Sequence, residues 1–191
     1  HSLGNLSCFY TNATSLNNNN RFNELKLAIS HYNQPHIILI TETWFNLNSN
    51  KNISNYILFS KDRLSTRDGG VAIYVRRDLN SNEIIDPILN NNSEIEQVWC
   101  SIKIGHESIL IGCIYRPPQS ERSTSTTINK SIHRAKSLSD RGYSGLLITG
   151  DFNHPSLSWT TLGGSSTSNR SRCANEFLEA INSNFLIQNK I

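Results

Sequence analysis

Two uninterrupted aliphatic runs, Ile37-Ile38-Leu39-Ile40 and Leu146-Leu147-Ile148, constrain the fold of this chain more than any other feature. Successive side chains of a strand point to opposite faces, so a strand that is apolar at every position must be covered on both. Both runs have strand length and are bounded by polar or turn-forming residues. They predict two central strands, in sheets that carry further layers on each side.

Each run leads into an acid. Thr41-Glu42-Thr43-Trp44 follows the first and Gly150-Asp151-Phe152-Asn153 the second, with Pro155 preventing the strand from continuing inside a sheet. The carboxyl ends of strands are where α/β sheets place chemistry. Residues i and i+2 of a strand point to the same face, so Asp151 and Asn153 are expected to project together from one edge of the sheet, where one can orient water and the other bind an oxyanion. The same residues also suit a turn in which Asp and Asn hydrogen-bond their own backbone. Glu42 by itself suits a solvated loop. Paired with Asp151 it suits Mg²⁺, a hard cation that takes one or two carboxylates and leaves its other positions to water and substrate phosphate.

Tyr115 closes another apolar run and precedes Arg116-Pro117-Pro118, so its phenol is presented where proline breaks the sheet. It can hydrogen-bond a phosphate oxygen or pack as a rim tyrosine. Asn12, after the first expected strand at Ser7-Cys8-Phe9-Tyr10, can serve a site or make only local turn contacts.

Six or seven apolar runs of strand length alternate with three helical patterns, an α/β or α+β signal. Val71 to Val75 follows the Asp68-Gly69-Gly70 turn. Val98, Cys100, Ile102 and Ile104 alternate with Gln97, Trp99, Ser101 and Lys103, which predicts a strand with one face less buried. Gly105-His106-Glu107 then turns into Ser108 to Tyr115, so antiparallel pairing is expected and a purely parallel sheet disfavoured. Helix one carries Phe22, Leu25, Ile29 and Tyr32 on one face, with an Asn run as N-cap and Pro35 as stop. Helix two carries Ile128, Ile132, Ala135 and Leu138. Helix three carries Ala174, Phe177, Leu178 and Ile181 after Ser171. Leu47 to Asn55 and Ser120 to Thr127 read as polar linkers.

At 191 residues the chain has the length of one domain. A net charge of +3 permits a nucleic-acid partner without arguing for one. Cys8, Cys100, Cys113 and Cys173 are scattered, with no zinc spacing and no disulfide framework, as in an intracellular protein with reduced thiols. No apolar stretch reaches the ~20 residues of a membrane span, so a soluble domain is expected. Methionine is absent even at position 1, and the apolar run from Phe185 stops at Ile191, which reads as a fragment open at both ends.

In order along the chain, Asn12 in Thr11-Asn12-Ala13-Thr14-Ser15-Leu16, Thr41-Glu42-Thr43-Trp44, Asp68 to Val75, Ile114-Tyr115-Arg116-Pro117-Pro118 and Gly150-Asp151-Phe152-Asn153-His154-Pro155 strongly resemble the endonuclease domain of non-LTR (LINE-type) retrotransposons, within the DNase I-like endonuclease/exonuclease/phosphatase superfamily. The resemblance covers nearly the whole chain. It implies a four-layer α/β sandwich, two mixed β-sheets face to face and flanked by helices, here lacking its last strands. It further implies Glu42 as ligand of Mg²⁺ or Mn²⁺, Asn12 and Asn153 positioning metal, water or phosphate, Tyr115 contacting the phosphate, and Asp151 activating the attacking water. The partners implied are DNA and a downstream reverse transcriptase, in an intracellular, nuclear setting.

Two positions depart from that pattern. Thr14 stands where some members carry an Asp, and the closing Asp-His pair would lie beyond Ile191. His154, beside Pro155, is expected to be a solvated loop residue and no substitute. A phosphatase of the same superfamily is the nearest rival reading. Another is an inactive remnant that binds nucleic acid through Arg63, Arg67, Arg76, Arg77, Arg170 and Arg172.

Overall fold

The structure is a computed structural model and describes residues 6–46, 48–62, 69–90, 95–160, 163–167 and 171–187. Two four-stranded sheets form its centre. The first has the order β1-β2-β4-β3, from β1 (Cys8–Asn12), β2 (Ile37–Thr41), β3 (Tyr56–Lys61) and β4 (Val71–Arg76). The second has the order β5-β6-β7-β8, from β5 (Asn80–Glu83), β6 (Glu96–Ile104), β7 (Glu107–Tyr115) and β8 (Gly145–Asp151). A hairpin of β9 (Leu157–Thr160) and β10 (Gly163–Ser166) follows. The helices are α1 (Asn19–His31), α2 (Arg122–Gly142) and α3 (Arg172–Ser183), none long and apolar enough to cross a membrane.

Three apolar clusters define four layers. Phe22, Leu25 and Ile29 of α1 pack on Ile38, Ile40, Ala72 and Tyr74 of the first sheet. The opposite faces of the sheets, with Ile37, Leu39, Ile73 and Val75 against Val98, Cys100, Ile111 and Cys113, pack on each other. Ile128, Ile132 and Ala135 of α2 and Phe177 of α3 cover Trp99, Leu110 and Ile114 on the outside of the second sheet. Every residue of β2 is buried, as its uninterrupted apolar sequence requires. The expected mixed sandwich is therefore present.

Several sequence expectations are corrected. β8 is not central. It pairs only with β7 among the described residues, lies at the end of its sheet and is half-buried throughout. β6 is buried on both faces in its first half, Gln97 and Trp99 included, because the outer helical layer covers Trp99 and leaves only Lys103 exposed. Tyr32 is an exposed C-cap rather than part of the buried face of α1. The polar stretch read as a linker from Ser120 becomes helix at Arg122, since Ser125 is buried and engaged by a neighbouring side chain. Leu47, Asp68, Arg63, Arg67, Arg170 and Ile191 lie outside the described residues.

Candidate active site

Among the described residues each sheet has one parallel strand pair, β1–β2 in the first and β7–β8 in the second. Asn12 ends β1 opposite Thr41, and Tyr115 ends β7 opposite Asp151. All four of these strands therefore present their carboxyl ends in the same region, and that is where the sequence-expected residues gather. The β1–β2 pairing continues into the loops. The amides of Ala13, Ser15 and Leu16 donate to the carbonyls of Thr41, Glu42 and Thr43 at 2.9, 2.9 and 2.8 Å. Those bonds carry Glu42, with φ of 54°, beside Asn12.

Asn12 joins the two sheets. Its Nδ2 donates to Glu42 Oε1 at 2.9 Å and to Asp151 Oδ2 at 3.1 Å. Its Oδ1 accepts from the Thr14 amide at 3.1 Å and the Thr14 hydroxyl at 3.3 Å, which fixes the amide with its nitrogen toward the carboxylates. Thr14 thus orients Asn12 instead of adding an acid. Asn12 is exposed while Glu42 and Asp151 are half-buried, so the cluster opens to solvent.

Asp151 and Asn153 do not share a strand face. The strand ends at Asp151, and Asn153 has a left-handed φ of 45°. Asp151 instead makes the local turn expected of it and reaches across to the other sheet. Its Oδ1 accepts the Asn153 amide at 3.2 Å as a local turn, while Oδ2 takes the bond from Asn12. The Asn153 Nδ2 donates to the Arg116 carbonyl at 2.7 Å, so it braces the loop. Gly150 is required by close approach, because a Cβ there would stand 1.8 Å from the carbonyl oxygen of Ile114.

Tyr115 is buried in the layer between the sheets. Burial first, then its contact with Glu42 and the charges of Glu96 and Asp151, pushes the phenol pKa up, so it stays a protonated donor. Tyr10 is held alike. Its hydroxyl lies 3.2 Å from Thr41 Oγ1, and burial pushes its pKa up to about 12. His154 is not solvated: it is half-buried with its ring 4.9 Å from that of Phe177, and burial followed by the Arg116 charge lowers its pKa to about 4.

Sequence reading missed Glu96. It lies opposite Tyr115 in the β6–β7 ladder and accepts a hydrogen bond from the Gly70 amide. The carbonyls of Gly69 and Gly70 in turn accept from the amides of Trp44 and Thr43, so Glu96 steadies the segment that carries Glu42. Counting the ladder back from the Gly105-His106 turn places Glu96 beside Tyr115 from sequence alone. Of the arginines weighed for a nucleic-acid patch, Arg76 is paired with Asp78 at 2.6 Å and Arg172 with Glu176 at 2.9 Å, while Arg77 is exposed.

The donor chemistry of the cluster fits a hard divalent cation. It offers two carboxylates, with no sulfur or imidazole, while the Asn12 amide oxygen is turned away onto Thr14, and Mg²⁺-type sites use one or two carboxylates plus water. No group of three His, Cys, Asp or Glu side chains forms a metal cage among the described residues.

A family model described as the endonuclease/exonuclease/phosphatase family matches residues 4–187. No curated protein matches the chain. Solved structures similar in fold include the endonuclease domain of TRAS1, a telomere-specific non-LTR retrotransposon, at 16% identity and a TM-score of 0.65, covering 94% of this chain and 71% of that one. The AP endonuclease LMAP from Leishmania major matches at 12% identity and a TM-score of 0.66, covering 93% and 66%. The 3′ phosphatase NExo from Neisseria, bound to a product DNA hairpin, matches at 14% identity and a TM-score of 0.54, covering 78% and 58%. The chain thus spans between 58% and 71% of the length of these structures.

Proposed function

The chain belongs to the endonuclease/exonuclease/phosphatase family, and from that premise we propose that it is a divalent-metal-dependent phosphodiesterase that nicks DNA, the endonuclease of a non-LTR retrotransposon. The observation that carries this reading is the single amide of Asn12 held by both Glu42 and Asp151, one at the strand ends of each sheet.

In this reading Glu42 holds Mg²⁺. The ion, when bound, supplies electrostatic stabilisation of charge developing on the phosphate and the leaving oxygen. Asp151 accepts the proton of the attacking water and is kept in place by Asn12 on one oxygen and the Asn153 amide on the other. Tyr115 donates to a phosphate oxygen, its raised pKa keeping the phenol protonated near neutral pH. The water oxygen bonds to phosphorus as the bond to the 3′ oxygen breaks. That oxygen takes a proton from solvent, leaving a 3′-hydroxyl and a 5′-phosphate. A free 3′-hydroxyl is what a downstream reverse transcriptase needs as a primer end.

Two labelled substrates, an intact DNA duplex and an oligonucleotide ending in a 3′-phosphate, test this reading. The reading predicts internal cleavage of the duplex to 3′-hydroxyl ends in the presence of Mg²⁺. Removal of the 3′-phosphate without internal cleavage would instead support a phosphatase of the same family, and inertness toward both would support a remnant.

A further inference from the structure

Arg116 is a buried cation whose three side-chain partners are all neutral. Nε donates to Ser125 Oγ at 3.0 Å, Nη1 to the Asn153 carbonyl at 2.9 Å and Nη2 to the Ser120 carbonyl at 3.2 Å. Among the described residues no carboxylate pairs with it. Taking a guanidinium out of water without a counter-ion is unfavourable, so a buried one is expected where its fork of donors holds a particular geometry.

That geometry centres on the loop after β8. The Arg116 amide donates to the Asp151 carbonyl at 2.8 Å, and Asn153 Nδ2 returns a bond to the Arg116 carbonyl at 2.7 Å. With Nη1 on the Asn153 carbonyl, three bonds tie one residue to the turn that carries Asp151. Two of them use the Arg116 backbone and persist in any substitution except proline; the third depends on the guanidinium. The far side of the loop rests on Phe177, whose ring lies 4.8 Å from that of Phe152 and 4.9 Å from that of His154. The guanidinium also reaches Ser125 in α2 and the turn at Ser120, linking the outer helical layer to the strand ends.

We propose that Arg116 is a positioning residue, whose fork locks the Asp151–Asn153 turn so that the Asp151 carboxylate stays on the Asn12 amide. The proposal rests on the reading of Asp151 as the water-activating group. A lysine at 116 keeps the charge but cannot span three separate acceptors, so charge and geometry are separable.

Arg116→Lys and Arg116→Ala in the full chain test it by steady-state nicking of DNA and by hydrogen–deuterium exchange. Both variants should lose kcat by about tenfold or more with KM within about twofold. Amide exchange should rise in the segment after Asp151 and stay unchanged in β6 and β7. Added methylguanidinium should restore part of the rate to the alanine variant and none to the lysine variant. A lysine variant with the wild-type kcat, or exchange rising equally along the whole chain, would overturn the proposal. If the alanine variant does not fold, the lysine variant decides. If the wild-type chain does not nick DNA, the functional reading fails, and exchange confined to the loop still decides the role of Arg116.

Discussion

Asn12 Nδ2 stands 3.1 Å from Asp151 Oδ2, although the two residues are 139 positions apart and belong to different sheets. The bond is possible because the parallel strand pair of each sheet ends at the same edge of the sandwich. It couples the residue read as water activator to the segment read as metal holder.

Asn12→Ala should lower nicking by about 10²-fold, since Asp151 loses the donor that orients it. Asn12→Asp should be at least as damaging, because it sets a third carboxylate beside Glu42 and Asp151. Single-turnover cleavage of a labelled duplex measures both, and an aspartate variant near the wild-type rate would contradict this geometry.

Gly150→Ala drives a methyl group into the Ile114 carbonyl and should destabilise the fold by on the order of 3 kcal/mol. Urea denaturation reads this directly. A loss within about 0.5 kcal/mol would show that β7 and β8 can separate without cost.

Tyr115→Phe removes only the hydroxyl and should lower kcat by roughly 10²-fold while leaving the fold intact. With the phenol pKa pushed above its ordinary value, the wild-type rate should not fall through phenol ionisation below about pH 10. A pH–rate profile with a phenol limb near neutrality would contradict the assigned surroundings of Tyr115.

His154 titrates near pH 4 when folded, against an ordinary 6.5. Between those values the unfolded chain binds a proton that the folded chain refuses. Stability should therefore fall as pH drops through that window and be fully present above it. In His154→Phe this loss is absent, so the wild-type Tm should drop relative to the variant by about 2 °C or more between pH 7 and pH 4.5. Parallel Tm curves would show that His154 is solvated after all.

The two aliphatic runs and the Gly105-His106 turn made the layered architecture legible, because burial on both faces and a two-residue hairpin each leave few alternatives. The position of β8 at the end of its sheet among the described residues was not legible, since apolar sequence reports burial and not rank in a sheet. Glycine-rich Gly163–Ser166 has little strand propensity and owes its pairing to β9. At the site, strand-end acids located Glu42 and Asp151, but their convergence with Asn12 depends on the way two sheets stack. The strand period misplaced Asn153, because the left-handed turn after Asp151 interrupts it. The partners of the Glu96 and Arg116 side chains include backbone amides and carbonyls, which have no residue-type signature in sequence.

Conversion of supercoiled plasmid to the open circle is the most direct measure of the central claim. The account predicts nicking by the chain with Mg²⁺, none with EDTA, and loss of at least about 10²-fold in Asp151→Ala. Nicking that survives Asp151→Ala unchanged, or absence of Mg²⁺-dependent nicking in the wild-type chain, would contradict it.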